Sequence, residues 1–193
     1  MRKSTQSSKL RCDTVEQKAQ LRKKISDELA ALPESYIESS NAQIAKKLFA
    51  MPEYAAAKRV FAYYSVGREV STQGIIEHAL SQGKQVALPV CESKGIMHFV
   101  LVHSLSELKK GRYGIPEPSE DGEAVTPNAD DIIIVPALCA DKSNNRLGHG
   151  AGYYDRYLAK AECFSVCLCR KRLLKDALPA EPTDYKVSAV ITE

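Results

Sequence analysis

The chain contains no tryptophan, only four phenylalanines, no C-x-x-C pair among six cysteines, and no marked excess of either charge. Each shortage removes a class of protein. Twenty-seven Lys and Arg against 24 Asp and Glu leave a formal charge of +3. Nucleic-acid binding calls for a clustered basic face, so no nucleic acid is expected as a partner. No stretch approaches the ~18 consecutive apolar residues of a membrane span, and the opening MRKSTQSSKLRCDTVEQ lacks the apolar centre of a signal peptide. The expected location is cytoplasmic, without a membrane partner. Cys12, Cys91, Cys139, Cys163, Cys167 and Cys169 then read as reduced thiols, with neither disulfide nor zinc expected. Cys167 and Cys169 sit two apart in an apolar run, which puts both on one face of a strand but supplies only half of a zinc ligand set.

What is present suits one folded unit of 193 residues. Residues 1–12 are polar, show no apolar period and are expected to form a flexible N-terminal arm, leaving 13–193 as the single domain. Leu21, Ile25, Leu29 and Leu32 make a helical stripe that ends before Pro33, with Lys18 and Arg22 projecting together beside it. A second helix is predicted over 36–50, then a strand over 59–64, a helix over 72–81, and strands over 85–90 and 97–102. A short helix around 104–110, an apolar strand at 132–135, a helix over 153–160, and strands at 164–169 and 187–192 follow. Continuous apolar strands interleaved with amphipathic helices point to an α/β fold, a three-layer α/β/α domain whose central sheet is mostly parallel.

The densest chemistry lies after the strand that ends at Pro136. There the chain runs Arg146-Leu147-Gly148-His149-Gly150-Ala151-Gly152-Tyr153-Tyr154-Asp155-Arg156 into a helix. Alternate glycines remove Cβ hindrance, so backbone N–H groups approach a ligand, and a helix opening adds further donors. The spacing matches neither a P-loop nor a dinucleotide fingerprint. Alone, such a loop is a flexible connector; Arg146 suits phosphate oxygens and Asp155 a magnesium ion bridging them, which tips the reading towards a nucleotide.

These residues resemble the signature of the 5-formyltetrahydrofolate cyclo-ligase family, whose members are also called 5,10-methenyltetrahydrofolate synthetases. Four further segments agree in order: Lys18-x-x-x-Arg22; Tyr64-Ser65 with Glu69-Val70-Ser71-Thr72; Gly111-x-Tyr113-Gly114-Ile115-Pro116-Glu117-Pro118; and Asp184 with the stretch to Glu193. The resemblance covers about 15–193 and implies the family's CoA transferase-like α/β/α fold. It also implies closure of 5-formyltetrahydrofolate to 5,10-methenyltetrahydrofolate, with ATP as co-substrate and Mg2+ as cofactor. By residue, it implies ATP contacts from Lys18, Arg22, Arg146, Leu147, Gly148, His149, Gly150, Ala151, Gly152, Tyr153 and Tyr154, with Arg146 catalytic. Tyr64, Glu69, His149, Gly150, Ala151, Gly152 and Tyr153 correspond to folate contacts, and Asp155 and Asp184 to the magnesium ligands. The expected state is a monomer.

Plainer readings stand beside these. Lys18 and Arg22 also fit a solvated helix face, Asp184 a turn after Pro182-Thr183, and one of Tyr153, Tyr154 and Tyr157 a core position. Tyr113 reads as shaping a turn and is left out of the site. Departures from the family pattern are His149 for Tyr, Ala151 for Gly, Arg170 and Leu173 where an aromatic and Gln are usual, and Thr183 for His. The last three are expected near one side of the nucleotide site. The alternative function is a non-catalytic folate or nucleotide binder of the same fold. Nucleic-acid binding through Arg170-Lys171-Arg172 and Lys175, or turnover of another phosphorylated substrate, are further rivals.

Overall fold

The computed structural model describes residues 2–193, with side chains from Asp13 onward except that of Lys94. In chain order the elements are α1 (Arg2–Ala30), α2 (Glu34–Phe49), α3 (Pro52–Ala56), β1 (Arg59–Phe61), α4 (Gln73–Ser81), β2 (Gln85–Cys91) and β3 (Met97–Val102). Short strands β4 (Lys109–Lys110), β5 (Pro116–Glu117) and β6 (Ala124–Val125) lead to β7 (Ile132–Val135). The hairpin β8 (Cys139–Ala140) and β9 (Arg146–Leu147), then α5 (Tyr153–Leu158), β10 (Phe164–Leu168) and β11 (Ala189–Ile191), complete the chain.

Seven strands form the central sheet in the order β11-β10-β7-β1-β2-β3-β6. Pairing is parallel from β11 through β2; β3 and β6 run antiparallel at one edge. Alternate side chains divide between two cores. Val60, Val86, Ile132, Ile134 and Val166 pack on one face with Ile44 and Leu48 of α2 and Ile75 and Ile76 of α4. Phe61, Ala87, Ile133, Val135, Cys167 and Cys169 pack on the other with Ile25 of α1 and Leu158 of α5. Covered faces on both sides explain why β7 is apolar at every position. Helices on each face make the three-layer α/β/α domain that the pattern predicts. Cys167 and Cys169 share one face as their spacing requires, and burial pushes the Cys169 thiol up to about 12 and that of Cys167 higher still.

Several local expectations change. The helix expected around 104–110 is a single 3-10 turn, Leu105–Glu107, capped by Ser104 Oγ accepting from the Ser106 amide at 3.1 Å. The chain beyond it is extended and pairs β4 with β5. Local serine capping competes with helix propagation there. Strand β1 ends at Phe61 rather than residue 64, because the chain leaves the sheet to line a cleft. Helix α3 begins with Pro52 at a position where a missing N–H costs nothing; five residues are too few to show a period. With neither Pro nor Gly between Arg2 and Ala30, α1 is one continuous helix. The side chains of residues 1–12, on which the flexible-arm expectation falls, lie outside the described residues. Among the described residues, no helix is long and apolar enough to cross a membrane.

Candidate active site

Residues just beyond the carboxyl ends of two neighbouring strands, Tyr63 and Tyr64 after β1 and Pro136 after β7, join Pro89 and Cys91 of β2 around a cleft of about 820 Å³. The chain leaves β1 for β2 on one side and returns to β7 on the other, which makes this the switch point where open parallel sheets bind ligands. Lys18, Arg22, Tyr64, Glu69, Arg146, Leu147, Gly148, His149, Gly150, Ala151, Gly152, Tyr153, Tyr154, Asp155 and Asp184 all line it. Every residue that the sequence suggests for the site is therefore brought together.

The glycine loop leaves the β8–β9 hairpin, whose turn is fixed by Asp141 accepting from the amides of Ser143 at 2.8 Å and Asn145 at 3.0 Å. Gly150 has φ +103° and Gly152 φ +69°, values that favour glycine, whereas Ala151 between them needs no such angle. Close approach matters as well. A Cβ on Gly150 would lie 3.2 Å from the Arg22 guanidinium carbon, and one on Gly152 would lie 2.9 Å from an Arg156 nitrogen. Arg22 Nε donates to the Gly148 carbonyl at 2.9 Å, and Arg156 Nη2 donates to the Ala151 carbonyl at 2.5 Å. Helix α5 has only six residues, so its dipole adds little field. The charge at the loop is carried by the side chains around it.

Those charges form a chain. Lys18, 6% exposed, donates to Asp184 at 2.6 and 2.8 Å and to Glu181 at 2.8 Å. The Tyr185 amide donates to Asp155 Oδ1 at 3.2 Å, and Arg146 Nη2 donates to the same oxygen at 2.8 Å. Arg146 also lies 6.0 Å from the Tyr154 ring centroid. Its Nε and the Tyr154 hydroxyl are buried without a hydrogen-bond partner. Among the described residues no three acids, histidines or cysteines cluster as a metal cage. Two aspartates joined through one backbone step instead fit magnesium, which prefers one or two carboxylates completed by phosphate oxygens and water.

A different chemistry lines the rest of the cleft. Glu69 is largely buried, accepts from the Val66 amide at 2.9 Å and lies 3.9 Å from His149 Nε2. Burial pushes its carboxyl above the usual range. Tyr153 donates to the Glu92 carbonyl at 2.9 Å, and its hydroxyl lies 3.4 Å from that of Tyr113, a contact that pushes Tyr153 up to about 12. Tyr113 shapes a turn, as expected, with φ +61°, and it also lines the cleft. Met97 and Glu181 also line the cleft and carry no local sequence signal; Glu117, in a segment that agrees with the family, lines it too. All three tyrosines pack against the core, and Tyr157, edge-on to Phe99 at 5.0 Å, is the one that does not line the cleft. Of the late departures only Thr183 lines the cleft; Arg170 and Leu173 are buried outside it.

Comparison with known proteins gives one consistent result. A model of the 5-formyltetrahydrofolate cyclo-ligase family matches residues 14–193. A probable 5-formyltetrahydrofolate cyclo-ligase of Schizosaccharomyces pombe is 32% identical over 192 residues, covering 91% of this chain and 94% of that protein. The 5-formyltetrahydrofolate cyclo-ligase of Escherichia coli K12 is 34% identical over 169 residues, covering 84% and 92%. The solved structure of Aquifex aeolicus 5,10-methenyltetrahydrofolate synthetase superposes with a TM-score of 0.80 at 30% identity, covering 90% of this chain and 88% of that one.

Proposed function

The chain belongs to the 5-formyltetrahydrofolate cyclo-ligase family, and we propose that it closes 5-formyltetrahydrofolate to 5,10-methenyltetrahydrofolate with ATP and magnesium, releasing ADP and phosphate. The formyl oxygen attacks the γ-phosphorus and displaces ADP. N10 then attacks the activated carbon, phosphate departs, and the N10 proton is lost. Both steps depend on alignment and on donors aimed at phosphate oxygens.

The observation that carries this reading is the cleft itself, which gathers Lys18, Arg22, Arg146 and the glycine loop at the carboxyl end of the parallel strands. Arg146, held by Asp155 and by the Tyr154 ring, stabilises charge on the transferring phosphoryl group and is the catalytic residue. Lys18, Arg22 and the loop from Arg146 to Tyr154 bind the nucleotide. Tyr64 and the loop residues His149 to Tyr153 hold the flat pterin, while Glu69 accepts hydrogen bonds from it. Asp155 and Asp184 would hold magnesium, which supplies charge neutralisation between neighbouring phosphate oxygens.

The test is the ultraviolet band of the methenyl product. Purified protein with 5-formyltetrahydrofolate, ATP and magnesium produces it, and mixtures lacking any one component do not. Folded protein that binds either ligand and yields no product would instead establish the non-catalytic binder.

A further inference from the structure

Arg170 follows the end of β10 and is 2% exposed, the largest fully buried side chain among the described residues. A buried guanidinium is costly unless its donors are used, so what it holds is informative. Nη1 donates to Ser40 Oγ at 2.7 Å and to Asn41 Oδ1 at 3.0 Å, both in α2. Nη2 donates to the carbonyls of Arg68 at 3.2 Å and Glu69 at 3.0 Å. One planar fork thus ties a helix on one face of the sheet to the backbone beneath a cleft residue. Asn41 Oδ1 extends the tie by accepting from the Ser71 amide at 3.2 Å.

The tied segment has no regular secondary structure to hold its shape. It leaves the sheet after Phe61 and enters α4 at Gln73. Within it, the Tyr63 hydroxyl donates to the Val70 carbonyl at 2.9 Å and Thr72 Oγ1 to the Tyr63 carbonyl at 2.6 Å. At the Arg68 and Glu69 carbonyls, the anchor is Arg170. A lysine there, with a point charge on a flexible stem, reproduces neither the fork nor its two-sided reach.

We propose that Arg170 is a positioning residue for folate recognition: by holding the Arg68 and Glu69 carbonyls against α2, it aims the Glu69 carboxyl into the cleft. The assignment rests on the reading that Glu69 contacts the folate. It is specific to one substrate, because neither carbonyl belongs to the network of Lys18, Arg146, Asp155 and Asp184.

Steady-state kinetics of Arg170→Gln and Arg170→Lys test it. KM for 5-formyltetrahydrofolate rises about ten-fold in both variants, the loss expected when bonds to a charged group are removed, while KM for ATP stays within about two-fold. In a Glu69→Ala background, Arg170→Gln has no further effect on folate kcat/KM, since the residue through which it acts is gone. Equal rises in both KM values, or additive losses in the double variant, overturn the assignment. If Arg170→Gln fails to fold, Ser40→Ala removes one of the two Nη1 bonds and raises folate KM about two-fold; an unchanged KM overturns the assignment. Wild-type protein that binds no 5-formyltetrahydrofolate in calorimetry overturns the folate reading and this assignment with it. Normal wild-type turnover with unchanged Arg170→Gln kinetics overturns this assignment alone.

Discussion

On the side of the cleft built from α1 and residues 181–185, Lys18 is already paired with Asp184 and Glu181, and Arg146 with Asp155. On the side built from Tyr64, Glu69, Tyr113 and Tyr153, the groups are a carboxyl whose protonated form burial favours and aromatic rings with hydroxyl tips. The first side is desolvated and its Lys18 and Arg146 are already paired with acids, so on the proposed function a phosphate chain entering it would exchange one ion pair for another. The second side offers shape and a few directed polar atoms. A charged ligand is met by redistribution of bonds, a flat heterocycle by a wall already in place.

The largest expected break in this comparison is Arg146→Ala, which removes about 2–4 kcal/mol of transition-state stabilisation and lowers turnover about 10²–10³-fold. Initial rates at saturating substrates check it, and wild-type turnover would remove Arg146 from the mechanism. Next is Gly150→Ala, which forces a Cβ onto φ +103° and towards Arg22. A cost of about 1–3 kcal/mol is expected, read as a lower Tm together with a higher KM for ATP. Wild-type values for both would mean that the loop is free to relax. Asp155→Asn deletes one negative charge and should shift the magnesium requirement about ten-fold upward while loosening Arg146. An unchanged magnesium titration rejects Asp155 as a ligand.

The smallest effect belongs to the folate side. Because the Glu69 carboxyl is raised in the folded state, the folded chain takes up its proton before the unfolded chain does as pH falls. Its contribution to stability therefore grows from neutral pH down towards the ordinary glutamate range, and is lost as pH rises through the folded value. Glu69→Gln has no charge to bury, so its Tm advantage over wild type is greatest near neutrality and narrows on acidification. Thermal scans from pH 7 to about pH 5 measure that gap. A constant gap would mean that Glu69 feels little desolvation.

Sequence pattern carried furthest where one physical cause acted locally. The run at 132–135 reads as a doubly covered strand because four successive apolar residues leave no solvent face. The glycines at 150 and 152 mark positive φ because nothing else adopts it cheaply. Tyr113 was not legible as a cleft residue, since its hydroxyl meets that of Tyr153, 40 positions later. Nor does Arg170-Lys171-Arg172 reveal that its first member is buried and the next two are exposed. That division follows from where β10 ends against α2. Likewise, Ser104 to Lys110 has helical composition, and tertiary pairing of β4 with β5 decides otherwise.

The ion pair between Lys18 and Asp184 joins positions 166 residues apart. A chain emerging from the ribosome makes its first helix early, yet the phosphate side stays incomplete until the distant segment has been synthesised and folded back against it. Loop closure over that distance is slow compared with helix formation. On the function proposed above, the site is completed by one of the longest-range contacts in the molecule, and recovered turnover during refolding should trail recovered helix content.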